Sequence, residues 1–276
     1  MAMNLFRVAL CFSGQSRYWK YCLPNIKNFF SLGIHPETKE SIKYDYFIHT
    51  WDINHYRHNT NTWNFSSEVL SLDDQIEMKK LYNPIHIEIE NFKKFKDDTQ
   101  PLSFDPMFYS FMKSIHYKRE YELKNDFEYD IVIKIRFDAI YNTSQPFIFH
   151  KIEPMVGYTC TPISKFINEF HYNNFDDVIF YGDSKTMDLL SHTYRIHRQQ
   201  RLEQKLQIIE NNEDPSFHYG PGCLLYNTMV DMSIHPHCFR SFPWYVVRRN
   251  VAESGLDPIS NSDWESVKKL CMDWYR

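Results

Sequence analysis

The stretch Asp130-Ile131-Val132-Ile133-Lys134-Ile135-Arg136-Phe137-Asp138 decides how the chain is read. β-Branched residues fill every position from 131 to 135 except Lys134. Such a run fits a strand buried on both faces, as at the centre of a parallel sheet. The apolar character stops at Arg136-x-Asp138, and ligands of open α/β sheets bind beyond the carboxyl ends of the strands. A carboxylate two residues from a guanidinium suits a metal ion or a phosphate there. Alternation along an extended chain points Arg136 and Asp138 to one side. The competing reading is a structural salt bridge at the sheet's end.

Working outward, Arg7 to Phe12 predicts a first strand, closed by Ser13-Gly14-Gln15-Ser16-Arg17. A helix through Trp19, Tyr21, Ile26 and Phe29-Phe30 follows, then a second strand over Tyr44 to Asp52. Polar residues from Asn54 to Asn64 read as a loop, Leu72 to Leu81 as a short helix and His86 to Ile89 as a third strand. Phe108, Phe111, Met112, Ile115 and Tyr121 recur at helical spacing between Pro106 and Asn125. This β-α-β-α-β alternation is the signature of a mostly parallel sheet flanked by helices. Downstream, Asp177 to Gly182 predicts a strand, and Ser184 caps a helix running to about Arg195. The charged segment Arg195 to Asn211 reads as a solvated helix or an excursion. Pro221 to Met232 fits a helix and Pro243 to Arg249 a last strand. No repeat or low-complexity linker divides the chain. The expectation is one Rossmann-like α/β domain with two functional lobes, over about 1–150 and about 151–276.

Composition narrows the classes. At 276 residues the chain can bury a sizeable core, and a net charge of −4 argues against a general nucleic-acid binder. With only 7 glycines, Gly-rich phosphate loops are excluded and each glycine marks a backbone need. The 6 cysteines form no Cys-x-x-Cys pair, which weakens zinc and thioredoxin-type readings and leaves them as reduced thiols. The first residues enter a strand without a signal-peptide core, and no run approaches the ~20 apolar residues of a membrane span. The expected location is cytoplasmic, or the host cytoplasm if the chain is viral.

Several motifs carry chemistry. In Ser13-Gly14-Gln15-Ser16-Arg17, Gly14 would allow close backbone approach while Ser13, Ser16 and Arg17 donate to a base or diphosphate. A plain strand-to-helix turn capped by Ser16 is the alternative; the second Gly and the Lys of a Walker loop are missing. Tyr109, Ser110 and Lys113 lie on or near one helical face and could reach a ribose or phosphate, or simply face solvent. Asp138 could bind Mg²⁺ or Mn²⁺, which favour carboxylate and phosphate oxygens. Of Asp176 and Asp177, neighbours on a strand, one could serve a sugar hydroxyl or act as base. Asp214, beside Glu213, could supply a base or be an ordinary acidic turn. His235 and His237 alternate towards one face, so one of them could be a late metal ligand. Trp51, Trp63 and Trp244 are candidate sugar-stacking surfaces, with core positions as the alternative.

Taken in order, Arg7 to Arg17, Asp45 to Trp51, Tyr129 to Asp138, Asp176 to Gly182 and Tyr245 to Arg248 resemble nucleotide-sugar glycosyltransferases of the GT-A fold. The likeness is to the divergent bacterial, phage and large-virus group with Arg-x-Asp in place of Asp-x-Asp. It implies a GT-A-like domain that moves a sugar from a nucleoside-diphosphate sugar to a glycan or other hydroxyl acceptor, assisted by Mn²⁺ or Mg²⁺. Tyr109, Ser110, Lys113, Arg136 and Arg248 are further donor-binding candidates, and His235 a second metal ligand, on their residue type and position alone. The resemblance implies that Ser13, Gly14 and Arg17 line the nucleotide pocket and that Asp138 contacts the metal-diphosphate. Asp177 would touch the donor sugar. The chain departs from the family at Pro221-Gly222, where a Pro-Glu is common, so Asp177 or Asp214 would have to serve as base. Two other readings stay open: a non-catalytic nucleotide- or sugar-binding protein on the same fold, and a sulfo- or phosphotransferase.

Overall fold

The computed structural model describes residues 6–33, 42–54, 69–99, 101, 104–143, 152–160, 177–200, 203, 221–239, 244–247, 252–260 and 262–272. Its centre is a seven-stranded sheet in the order β3-β2-β1-β4-β7-β6-β8. These strands are β1 (Arg7–Ser13), β2 (Lys43–Trp51), β3 (His86–Glu90), β4 (Ile131–Ile135), β6 (Val156–Cys160), β7 (Ile179–Gly182) and β8 (His235–Phe239). β5 (Ala139–Tyr141) and β9 (Trp244–Val246) form a separate antiparallel pair. β1 runs parallel to β2 and β4, and β2 parallel to β3. β7 is antiparallel to both its neighbours, and β8 is parallel to β6, so β7 alone is reversed.

Alternation along β1 explains the layers. Val8, Leu10 and Phe12 pack on one face with Cys22, Leu23, Ile26 and Phe29 of α1 (Trp19–Ser31). Ala9 and Cys11 pack on the other with Phe108, Phe111 and Ile115 of α4 (Asp105–Asn125). Each such apolar side chain contributes about 1.5–3 kcal/mol when fully buried. β4 is buried at every position, as its composition requires. Lys134 is accommodated because its ammonium donates to the Asp177 carbonyl and lies 5.5 Å from the Phe180 ring centroid.

Connectivity places the functional end. From β1 the chain passes through α1 to β2 on one side. After α2 (Leu72–Tyr82), β3 and α3 (Phe92–Thr99), α4 returns it to β4 on the other side of β1. The carboxyl ends of β1 and β4 therefore flank a topological switch point, where α/β sheets open a crevice.

Local expectations fare unevenly. The cap of α5 (Ser184–Leu190) is Asp183, whose side chain accepts from Thr186 N at 2.7 Å, not Ser184. Helical structure resumes over 193–200. α1 starts without a side-chain cap, and Ser16 Oγ bonds Asn54 Oδ1 instead. The expected last strand is short and joins β5 rather than the main sheet. Strands β6 and β8, helix α3 and the helix Trp264–Met272 were not anticipated by periodicity. The helix Pro221–Asp231 lies where expected. No helix among the described residues is long and apolar enough to cross a membrane. Cys11 and Cys22 are free, Cys271 is buried with them, and burial raises the first two thiols far above their usual range.

Candidate functional site

A cavity of about 300 Å³ opens at the switch point. Its walls include Ser13, Gly14 and Arg17 after β1, Trp51 at the end of β2, Arg136 and Asp138 after β4, and Asp177 before β7. Asp177 reaches this end because β7 runs backwards beside β4, pairing Ile179 with Ile135.

The charges form one connected group. Arg136 grips Asp138 with two bonds, Nε to Oδ1 and Nη2 to Oδ2, both 2.9 Å. Arg17 Nη2 stands 2.8 Å from Asp138 Oδ2. Arg136 Nη1 donates to Asp177 Oδ2 at 3.2 Å. Asp138 is 1% exposed, whereas both guanidiniums are partly open to the cavity. The carboxylate thus anchors two arginines that face the space beside it. Its backbone is also pinned, since the Asp138 carbonyl accepts from Val247 N–H at 2.7 Å. The β5–β9 ribbon explains that bond.

Strand β4 ends at Ile135, and Phe137-Asp138 form a turn. Arg136 and Asp138 nevertheless lie on one side, joined as the ion pair that the competing reading of the sequence describes. A resident Mn²⁺ or Mg²⁺ does not fit this donor set among the described residues. Both oxygens of Asp138 already face guanidiniums, and two fixed positive charges repel a divalent cation. A bound anion fits better.

Polar atoms without partners mark the same cavity. Ser13 Oγ, Gln15 Nε2 and Trp51 Nε1 are buried and make no hydrogen bond among the described residues. Buried polar groups are satisfied in the great majority of cases, so three such atoms around one hollow point to a ligand. Gly14 has φ +103°, a conformation that side chains rarely adopt, while a Cβ built there would meet only open space. The glycine is needed for its dihedral; the space in front of it is available to a ligand.

The remaining sequence candidates separate from this site. Ser110 is buried and its hydroxyl is consumed: it accepts from Gly14 N at 2.6 Å and donates to His49 O at 2.9 Å. It shapes the loop rather than lining the cavity. Tyr109 donates to Glu90 Oε1 at 3.2 Å, and Lys113 pairs with Glu88 at 2.8 Å and Glu90 at 3.1 Å. Burial and Glu90 push the Tyr109 phenol up to about 12, so it stays a donor. These side chains face the β2–β3 edge, because α4 crosses the sheet there. His235 opens the edge strand β8 beside Val156, at the amino-terminal end of β6. That end is opposite the one carrying Asp138, and the two cannot share an ion. Trp51 is wholly buried among Phe92, Phe95 and Tyr109, so its face is not a stacking surface. Asp214, Arg248, Asp176 and Trp63 lie outside the described residues, as does the side chain of Trp244.

Sequence reasoning missed Gln15 as a cavity residue and the group His49, Glu88 and Glu90, which could hold a metal ion. The carboxylates alternate on β3, a pattern visible in His86-Ile87-Glu88-Ile89-Glu90. The missing piece was the register that sets His49 beside Glu88. No protein-family model matches the chain, and no curated protein matches it.

Proposed function

We propose that the switch-point cavity binds the diphosphate of a nucleoside-diphosphate sugar and that the chain is a glycosyltransferase. The observation that carries this reading is the pair Arg17 and Arg136, held by one buried Asp138 beside the unpartnered Ser13, Gln15 and Trp51 atoms. Two guanidiniums on a common anchor match the charge and bidentate geometry of phosphate oxygens.

In the reaction, the bond between the sugar's anomeric carbon and the diphosphate oxygen breaks. The diphosphate leaves with the electron pair. An acceptor hydroxyl forms the new glycosidic bond and gives up its proton. Arg17 and Arg136 stabilise the charge growing on the departing diphosphate, the principal electrostatic demand of the step. Asp177, at the cavity wall and partly exposed, is the described carboxylate placed to take the proton in an inverting transfer; Asp214 is the other candidate. The counter-charge is written as guanidinium because Asp138 is committed to both arginines.

The test is donor hydrolysis and transfer across a nucleotide-sugar panel, with and without Mn²⁺. Turnover lost in Asp177→Asn with donor binding retained supports the assignment. Donor binding without turnover in the wild type would leave a binding protein on this fold. Asp138→Ala separates anchor from metal ligand: as an anchor, it weakens donor binding equally with and without Mn²⁺. A loss seen only with Mn²⁺ would restore the metal role.

A further inference from the structure

At the β2–β3 edge, beside the donor cavity, a second constellation is built from three elements. β2 and β3 run parallel with His49 opposite Glu88 and Trp51 opposite Glu90, so His49, Glu88 and Glu90 share the sheet face under α4. Lys113 of α4 reaches down onto both carboxylates. Counting these charges gives two carboxylates against one ammonium, a net −1.

The histidine shows what the group lacks. Ser110 Oγ accepts from Gly14 N–H and gives its hydrogen to the His49 carbonyl. Its remaining lone pair faces His49 Nδ1 at 2.9 Å, so Nδ1 must carry a hydrogen. The fixed ring then turns Nε2 towards Glu90 Oε2, 3.4 Å away. Nε2 is fully buried and makes no hydrogen bond there or to any other described atom. This nitrogen and a carboxylate facing each other across 3.4 Å call for a cation between them, either a proton on Nε2 or a metal ion.

We propose that His49, Glu88 and Glu90 bind a divalent transition-metal cation of the Zn²⁺ class, with Lys113 as the counter-ion that holds the carboxylates without it. Nitrogen with two carboxylates is a ligand set for that class, and a histidine whose other nitrogen is hydrogen-bonded is the usual metal-binding arrangement. The three ligand atoms lie within 4.8 Å of one another. Ligands at about 2.0–2.2 Å from one tetrahedral ion stand about 3.4 Å apart, so the two glutamates need to close by roughly 1 Å. Both are partly exposed, and closing exchanges their Lys113 contacts for the ion. The site is independent of the donor reading, but it connects to it: metal on Nε2 locks the hydrogen on Nδ1, and with it the Ser110 bond that holds Gly14.

Titration of chelator-treated full chain with Co²⁺, followed by visible absorption and by displacement with Zn²⁺, tests this without an activity assay. The expected result is one equivalent of Co²⁺ with tetrahedral-type bands, displaced by Zn²⁺. Glu90→Gln should weaken binding on the order of 100-fold, and Ser110→Ala about 10–100-fold as the partner that orients the ligand. Lys113→Gln should tighten it by roughly tenfold, because a competing cation is removed. Circular dichroism confirms that each variant is folded. Absence of stoichiometric binding in the wild type, or binding unchanged by Glu90→Gln, would overturn the site and leave an ion-paired sheet edge.

Discussion

Two charged clusters sit at opposite ends of the β4–β7 pair, and they differ in one respect. At the upper end, Arg17, Arg136, Asp138 and Asp177 border a cavity of about 300 Å³ where Ser13, Gln15 and Trp51 keep unpartnered polar atoms. At the lower end, Glu122, Ser184 and Asp188 border a hollow of about 590 Å³, with Lys118 buried behind them. There the bonding closes. Lys118 Nζ spends its three hydrogens on Glu122 at 2.9 Å, Ser184 at 2.6 Å and Asp188 at 2.8 Å. Ser184 donates to Glu122, which also accepts from Tyr129 N, and Arg119 completes Asp188. The larger hollow is the finished structure. The smaller one leaves polar groups without described partners, and that, not volume, is the ground for proposing it as the ligand end.

The contrast can be broken from either side. Lys118→Met should be the most damaging change, about 3–5 kcal/mol in urea denaturation, because it removes the buried counter-ion shared by Glu122 and Asp188. Ser184→Ala should cost about 1–3 kcal/mol, since it leaves the buried Lys118 one acceptor short. Gly14→Ala should cost about 1–2 kcal/mol through its positive φ, with no steric clash to add. Ser13→Ala should move stability by no more than about 0.5 kcal/mol, as it removes a hydroxyl with no described partner, yet weaken nucleoside-diphosphate binding. Equal stability losses for Ser13→Ala and Ser184→Ala would erase the distinction between the two ends.

Legibility followed the same division. The buried run of β4, its abrupt Arg136-x-Asp138 ending, the helical spacing of α4 and the Ser13-Gly14 turn could all be read locally, because period and composition carry them. Strand order and direction could not. Nothing in Asp177 to Gly182 announces that β7 is reversed, yet that reversal is what brings Asp177 to Arg136. His235 and Asp138 were grouped by residue type, and pairing of β8 with β6 sends them to opposite ends. Tyr109 and Lys113 were assigned to the donor from helical spacing, but two glutamates on β3 claim them. Short strands such as β5 and β6 offer too few alternations to read. Partners that depend on register lie beyond any single-segment pattern.

The most direct test is calorimetric titration with uridine, guanosine, adenosine and thymidine diphosphates of wild type, Arg17→Ala and Arg119→Ala. The account predicts saturable binding of at least one of them. Arg17→Ala should weaken that binding about 30-fold or more, as expected when one partner of a buried charge pair is cut away. Arg119→Ala, at the closed lower end, should leave it unchanged. Binding that survives Arg17→Ala but falls in Arg119→Ala would place the ligand at the wrong end of the sheet and contradict the account.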